Sequence, residues 1–424
     1  MRLIFLPCLL GISLSIYSQN LPSISEKEVS RIENMLAADD MQGRQVFTPG
    51  IDKAADFIKK EFKDAGLTPL PGLKEGFEQS FTMLNPEVTE ISAIIDGTSI
   101  DSKNILVFSS NSSLNVTQAD HYQKVYVKKG SDFRSVVYKY LDADQNVLIL
   151  VDTSFTKNFR RLVRFHMHQF EGNGNRILIL TDSDPLQFSI QVNQKTKKQS
   201  LTNIAGIIQG KSKPEEYVIF SAHYDHLGIG YPDAKGDSIY NGANDDASGT
   251  TAVITLAKYF SNVHNNERSI IFVAFTAEEI GEFGSAYFSK IIDPDKVIAM
   301  FNIEMIGTES KWGKNSAYIT GFDKSDMGTI IQKNLSGSQF KFYPDPYPEQ
   351  GLFLRSDNAT LAKKGVPAHT ISTSKMDSEK YYHKQGDEVG TLDLKNMTEI
   401  IRAIGLSAGS IINGQDTPQR VIIE

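Results

Sequence analysis

The chain has 424 residues, 40% of them hydrophobic and 22% charged, ordinary globular proportions that allow one large domain or two. A formal charge of −7 leaves no basic footprint for nucleic acid or an anionic membrane surface. The single cysteine, Cys8, excludes a disulfide framework, so stability must come from burial of a core.

Met1-Arg2 and the apolar run Leu3 to Ile16, ending in Tyr17-Ser18-Gln19-Asn20, have the pattern of a signal peptide over residues 1–19. The run is too short for a comfortable bilayer span. Its removal would take Cys8 away, leave no stable membrane span, and deliver a secreted or periplasmic protein. From Ser23 to Leu36 the spacing predicts a helix, with Ser25 as N-cap and Glu28 three residues later. A loop through Gly43-Arg44 follows. Thr48-Pro49-Gly50 then opens a second helix with Ala54, Ala55, Phe57, Ile58 and Phe62 on its apolar face, stopped at Gly66.

Residues 77–200 change character. Short alternating segments at 90–95, 104–108, 124–127, 146–151 and 176–181 predict strands between polar turns, hence a β-rich module inserted into a domain made of 20–76 and 201–424. Within it, Lys157, Arg160, Arg161 and Arg164 suit the solvated side of a helix. His166 and His168 would share a face if they lie on a strand, and a surface strand accounts for them without a metal. Gly206 to Ser212 superficially suggests a phosphate loop but is one residue short, and Pro214 stands where its helix should run. Further on, 318–320 and 368–372 predict strands, 325–335 a helix, and 394–412 an amphipathic closing helix.

The chemistry-bearing residues gather behind three apolar runs, Tyr217 to Phe220, Ile270 to Phe275 and Val297 to Phe301. Such runs read as strands buried on both faces of a mostly parallel sheet, flanked by helices such as Ala247 to Phe260. Behind the runs stand Ser221-Ala222-His223-Tyr224-Asp225, Thr276-Ala277-Glu278-Glu279 and Asn302-Ile303-Glu304-Met305. Gly242 to Gly249 lies between the first two, and Tyr382-His383 with Asp387 comes far downstream. Imidazoles and carboxylates at the carboxyl ends of parallel strands, with no cysteine at hand, suit a zinc-like cation with N and O ligands. A lone His-x-Asp is usually a satisfied surface pair, and a lone Glu-Glu is a weaker signal still.

Together and in this order the pieces resemble the M28 family of co-catalytic zinc peptidases, which includes secreted leucyl-type aminopeptidases and glutamate carboxypeptidase II. The resemblance covers roughly residues 34–72 and 201 to the end. It implies a zinc-peptidase (phosphorylase/hydrolase-like) α/β fold and two Zn²⁺ ions. His223 and Glu304 would serve the first ion, Glu279 and His383 the second, and Asp245 would bridge them. It further implies Glu278 as general base, Asp225 as the carboxylate that orients His223, a cis peptide after Asp245, and Asp387 behind His383. Tyr382 would steady the oxyanion. Two positions depart from the family pattern. Glu304 stands where Asp is usual, and Arg355-Ser356-Asp357-Asn358 carries Asn in place of His. His226 reads as a loop residue, His369 as a core histidine, and His121 and His264 as surface residues.

The expected function is zinc-dependent removal of N-terminal residues from peptides. The alternatives are a carboxypeptidase or dipeptidase, with Arg355 or Lys375 holding the substrate carboxylate, a glutaminyl cyclase on the same scaffold, and a binding protein on a retired peptidase fold.

Overall fold

The computed structural model describes residues 23–73, 76–141, 144–165 and 168–423; the signal-peptide segment and His166 lie outside them. Among these residues no helix is long and apolar enough to cross a membrane.

Four parallel strands form the middle of a twelve-stranded mixed sheet, in the spatial order Ala368–Ser372, Val297–Ile303, Lys213–His223 and Arg268–Phe275. All three apolar runs read from the sequence lie in this block. Every residue of Arg268–Phe275 is buried, as expected of a strand covered on both faces. From Lys213–His223 the chain crosses to Arg268–Phe275 on one side, then returns to Val297–Ile303 on the other. The connections therefore diverge at the end of the His223 strand, where open α/β sheets leave a crevice.

The helix Ser248–Val263 covers one face, and Phe220 stacks against Phe260, Phe272 and Phe301 at 5.6, 5.5 and 5.1 Å. The N-terminal helix Glu26–Leu36 packs on Ser248–Val263, with Val29, Ile32 and Leu36 fully buried. Its N-cap is Ser25, whose Oγ accepts the Glu28 N–H at 3.1 Å. Glu28 does not return the bond of a capping box; its carboxylate pairs instead with Arg31 and Lys258.

The inserted segment is tied into the main sheet by a long ribbon. Glu78–Ile95 and Phe188–Ile208 pair antiparallel, from Glu78 against Ile204 to Ile95 against Phe188. The second strand runs unbroken past residue 200, so the boundary read at 200/201 falls inside one strand whose last part, Ile204 to Ile208, pairs with Arg268–Phe275. Beyond the ribbon stands a separate four-stranded sheet, ordered Ile105–Phe108, Arg176–Leu180, Val147–Val151, Gln123–Val127. Strands at 90–95, 104–108, 124–127, 146–151 and 176–181 thus correspond to observed ones. Two helices, Phe133–Leu141 and Thr156–Phe165, add an α layer, with Phe133, Val137, Phe159 and Leu162 packed on the sheet. Only the second was foreshadowed, by its basic residues.

One buried acid in the core gives a pH test. Glu33 is fully buried; Thr251 donates to its Oε2 at 2.7 Å, while Oε1 has no partner. Burial pushes its carboxyl up to about 8, against the pull of Arg44. Because the folded pKa exceeds the unfolded one, the stabilisation is fully present below about pH 4.5 and lost as pH rises to about 8. Thermal unfolding of Glu33→Gln should therefore lose less stability than wild type between pH 5 and 8, a difference on the order of a few kcal/mol. Parallel pH profiles for the two proteins would exclude this role.

Candidate metal centre

Each chemistry-bearing loop leaves the carboxyl end of a central strand, so the sheet brings side chains far apart in sequence into one crevice. His223 ends its own strand, Glu278 and Glu279 follow Phe275, and Glu304 follows Ile303. Gly242 to Ala247 leads into the helix that follows the His223 strand, and His383 comes from the loop before the closing helix. The backbone is left-handed at Ala277 (φ 62°), Met305 (φ 53°) and His383 (φ 55°), at or beside a candidate site residue in three of these loops. The Asp245-Asp246 peptide is cis.

Two donor groups converge on Asp245. His223, Asp245 and Glu304 bring ligand atoms within 4.8 Å of one another, and so do His226, Asp245 and Glu279. His223 Nε2 lies 3.3 Å from Asp245 Oδ1. His383 Nε2 lies 3.2 Å from both Asp245 Oδ2 and Glu279 Oε2. Ligand atoms bound at about 2.0–2.2 Å to a tetrahedral ion sit about 3.3–3.6 Å apart, so these spacings suit a shared cation. His223 Nε2 and Asp245 Oδ2 are buried and lack hydrogen-bond partners, which is how ligand atoms look before the ion is placed. The donor set therefore fits a divalent cation of zinc type, which these residues would hold through imidazole and carboxylate.

His226 is not a plain loop residue. It is buried, and its Nδ1 lies 2.7 Å from Glu279 Oε1 but 4.0 Å from Asp245 Oδ2. The short contact is a hydrogen bond, so His226 orients Glu279 while His383 has the better ligand spacing. Its neighbour in sequence, Asp225, was the available signal.

Three buried carboxylates fix the loops through backbone N–H groups. Asp225 accepts from Glu278 at 3.1 Å and Glu279 at 3.3 Å. His223 Nδ1 is closer to the Asp225 carbonyl, at 3.1 Å, than to its carboxylate, at 3.8 Å. Asp225 thus holds His223 chiefly through its backbone and uses its side chain on the Glu278-Glu279 turn. Asp387 accepts from Asn244 at 2.8 Å and Asp245 at 3.0 Å, so its carboxylate holds the bridging loop rather than His383. Asp246 accepts from Gly249 and Met305, both at 3.0 Å, linking that loop to the one bearing Glu304.

Arg44 braces the same region from below. Fully buried, it donates to the carbonyls of Leu36, Tyr224, Asn241 and Gly242 at 2.6–2.9 Å. Gly43 beside it has φ +64°, and a Cβ there would lie 2.5 Å from the carbonyls of Gly228 and Tyr240, so only glycine fits. The Gly43-Arg44 loop is thereby explained as a clamp on both sides of the His223–Asp245 connection.

Electrostatics favour a cation. Burial and the neighbouring carboxylates Glu304, Glu279 and Asp357 push Glu278 well up, against the pull of His223. Burial lowers the affinity of the His383 imidazole for a proton, yet Asp245 and Glu279 raise its pKa to about 10. The carboxylates outnumber the imidazoles, and positive charge at their centre relieves the repulsion. Glu278 Oε2 lies 4.0 Å from His223 Nε2, outside bonding distance, and stays free to act on a reactant. Tyr382 stacks on His383 at 4.0 Å, and burial beside these acids keeps its phenol protonated. Asn358, in place of the family's His, is structural here: its Nδ2 donates to Phe353 and Ala368 carbonyls and its Oδ1 accepts from Thr370. His369 is buried between Thr320 and Ser325, in keeping with a core role.

Residues 203–407 match the model of "Peptidase family M28". Aminopeptidase YwaD of Bacillus subtilis (strain 168) is 32% identical over 199 residues, covering 45% of this chain and 40% of that protein. Leucine aminopeptidase 2 of Trichophyton rubrum is 24% identical over 251 residues, covering 52% and 47%. The chain thus spans less than half the length of these curated relatives. Among solved structures, a zinc aminopeptidase from Bacillus subtilis aligns with TM-score 0.57 at 15% identity, covering 93% of this chain and 96% of that one. An aminopeptidase from Aneurinibacillus sp. strain AM-1 aligns with TM-score 0.53 at 16% identity, covering 95% and 96%. These alignments speak for the mixed α/β fold. With its motifs gathered around Asp245, the part of the chain at residues 203–407 matches the model of peptidase family M28, and the chain resembles the zinc peptidases of that family.

Proposed function

We propose that this protein is a di-zinc exopeptidase that releases N-terminal amino acids from peptides and acts outside the cytoplasm. The observation that carries the reading is the pair of donor sets sharing Asp245, with Glu278 beside them and bound to neither. His223, Asp245 and Glu304 would hold one ion, and Asp245, Glu279 and His383 the other. Bound there, the ions supply Lewis acidity toward the scissile carbonyl and the attacking water. Glu278, with its raised proton affinity, takes the proton of that water and returns it to the leaving amine. Asp225 fixes the backbone from which Glu278 reaches, and Tyr382 offers its phenolic proton to the developing oxyanion. The relatives named as aminopeptidases support the N-terminal direction. The leader-like pattern of residues 1–19 supports export.

With added zinc, unblocked and C-amidated tripeptides should lose their first residue while N-acetylated ones stay intact. Cleavage of acetylated but not amidated peptides would instead establish a carboxypeptidase. An intact panel in the presence of bound zinc would remove the hydrolytic reading.

A further inference from the structure

Beside the metal centre a small pocket of about 40 Å³ opens next to Glu304. Its walls are the apolar parts of Met305, Tyr318, Leu352 and Met376, and Arg355 stands on it as an exposed cation. Two of the hydroxyls that line the pocket are committed elsewhere. Ser356 accepts from Asn302 at 2.8 Å, and Thr370 donates to Asn358 at 2.8 Å. The interior therefore offers apolar contact and no free neutral hydrogen-bonding group from these two.

The guanidinium is not committed. Among the described residues Arg355 forms no ion pair, and its hydrogen bonds to Gln350 are long, 3.4 Å to the carbonyl and 3.5 Å to Oε1. The neighbouring cations are engaged: Lys375 lies 3.4 Å from Glu309, and Lys311 sits over the Tyr347 ring at 5.5 Å. A short apolar pocket that starts at a metal ligand and ends at an unpaired arginine suits a side chain with a short hydrocarbon stem and an anionic tip.

We infer that this pocket receives the side chain of the residue being released and that Arg355 selects an acidic one, N-terminal glutamate above its neutral isostere glutamine. The inference rests on the aminopeptidase reading and adds the substrate class to it. Arg355 is a specificity residue and takes no part in the proton transfers assigned to Glu278. Substrate binding covers the ion pair that forms, so the guanidinium–carboxylate contact acts with less solvent screening than in the free protein.

The test uses the zinc-loaded protein and C-amidated tripeptides X-Ala-Ala, with X as Glu, Gln, Leu or Lys. Wild type should show kcat/KM about tenfold higher for Glu than for Gln, the scale of one charge-assisted contact. Arg355→Met should erase that difference and lower the Glu-to-Leu ratio of kcat/KM about tenfold. Arg355→Glu should turn the preference toward Lys, a gain that a damaged fold would not produce. Equal rates for Glu and Gln in wild type, or an equal fall for Glu and Leu in Arg355→Met, would overturn the inference while leaving the aminopeptidase intact. Failure of all four free-amine peptides would overturn the functional reading and this inference with it.

Discussion

Glu278→Gln should lower turnover about 10²–10⁴-fold while metal content and substrate KM stay near wild type, the loss expected when a general base is replaced by an amide of the same shape. The backbone N–H of residue 278 would still donate to Asp225, so the turn keeps its anchor. Glu278 is not part of either donor set, so neither ion loses a ligand. The measurement is steady-state kinetics on an amidated tripeptide beside metal analysis of the same sample. Unchanged turnover would remove Glu278 from the mechanism. A fall in turnover with loss of metal would make it a ligand instead.

Asp245→Asn should be the more damaging change for metal, because both donor sets pass through this one carboxylate. Its anion is strongly stabilised: despite complete burial, the His223 and His383 imidazoles hold its pKa far below the usual carboxylate range. An amide supplies one oxygen and no charge, and it turns an NH₂ toward either His223 or His383. Zinc content should fall for both ions and activity should drop to background, whereas His383→Ala, which removes an imidazole from the Asp245–Glu279 side alone, should empty one site. Equilibrium dialysis against zinc distinguishes the two variants. Two ions retained by Asp245→Asn at wild-type affinity would show that the centre has no bridging residue.

The pinning carboxylates tie the loops of the site to one another. Asp225 accepts backbone N–H groups from Glu278 and Glu279, Asp387 from Asn244 and Asp245, and Asp246 from Gly249 and Met305. Such outer partners commonly contribute 10–100-fold to metal affinity. Gly249 has the same purpose in another form: a Cβ there would lie 2.1 Å from the Ile303 carbonyl, just ahead of Glu304.

The sequence by itself determined the strands that matter and the residues at their ends. Buried parallel strands must be continuously apolar, so Tyr217 to Phe220, Ile270 to Phe275 and Val297 to Phe301 were legible. The polar groups that follow them had to lie at one edge of the sheet. The order of those groups carried the family resemblance, and with it the candidate ligands. Tertiary structure decided what each neighbour does, because hydrogen bonds to backbone leave no pattern in the chain. Asp225 and Asp387 look like partners of the histidines near them in sequence, yet their carboxylates bind loops 53 and 143 residues away. His226 was indistinguishable from a loop residue until the fold set it against Glu279. The helix Phe133–Leu141 and the strand that runs through residue 200 were likewise hidden, the first by β-branched and aromatic residues in a stretch read as strands and the second by lysines on its exposed face. Whether Arg355 has a partner depended on what folds around it, since a free cation and a paired one are spelled alike.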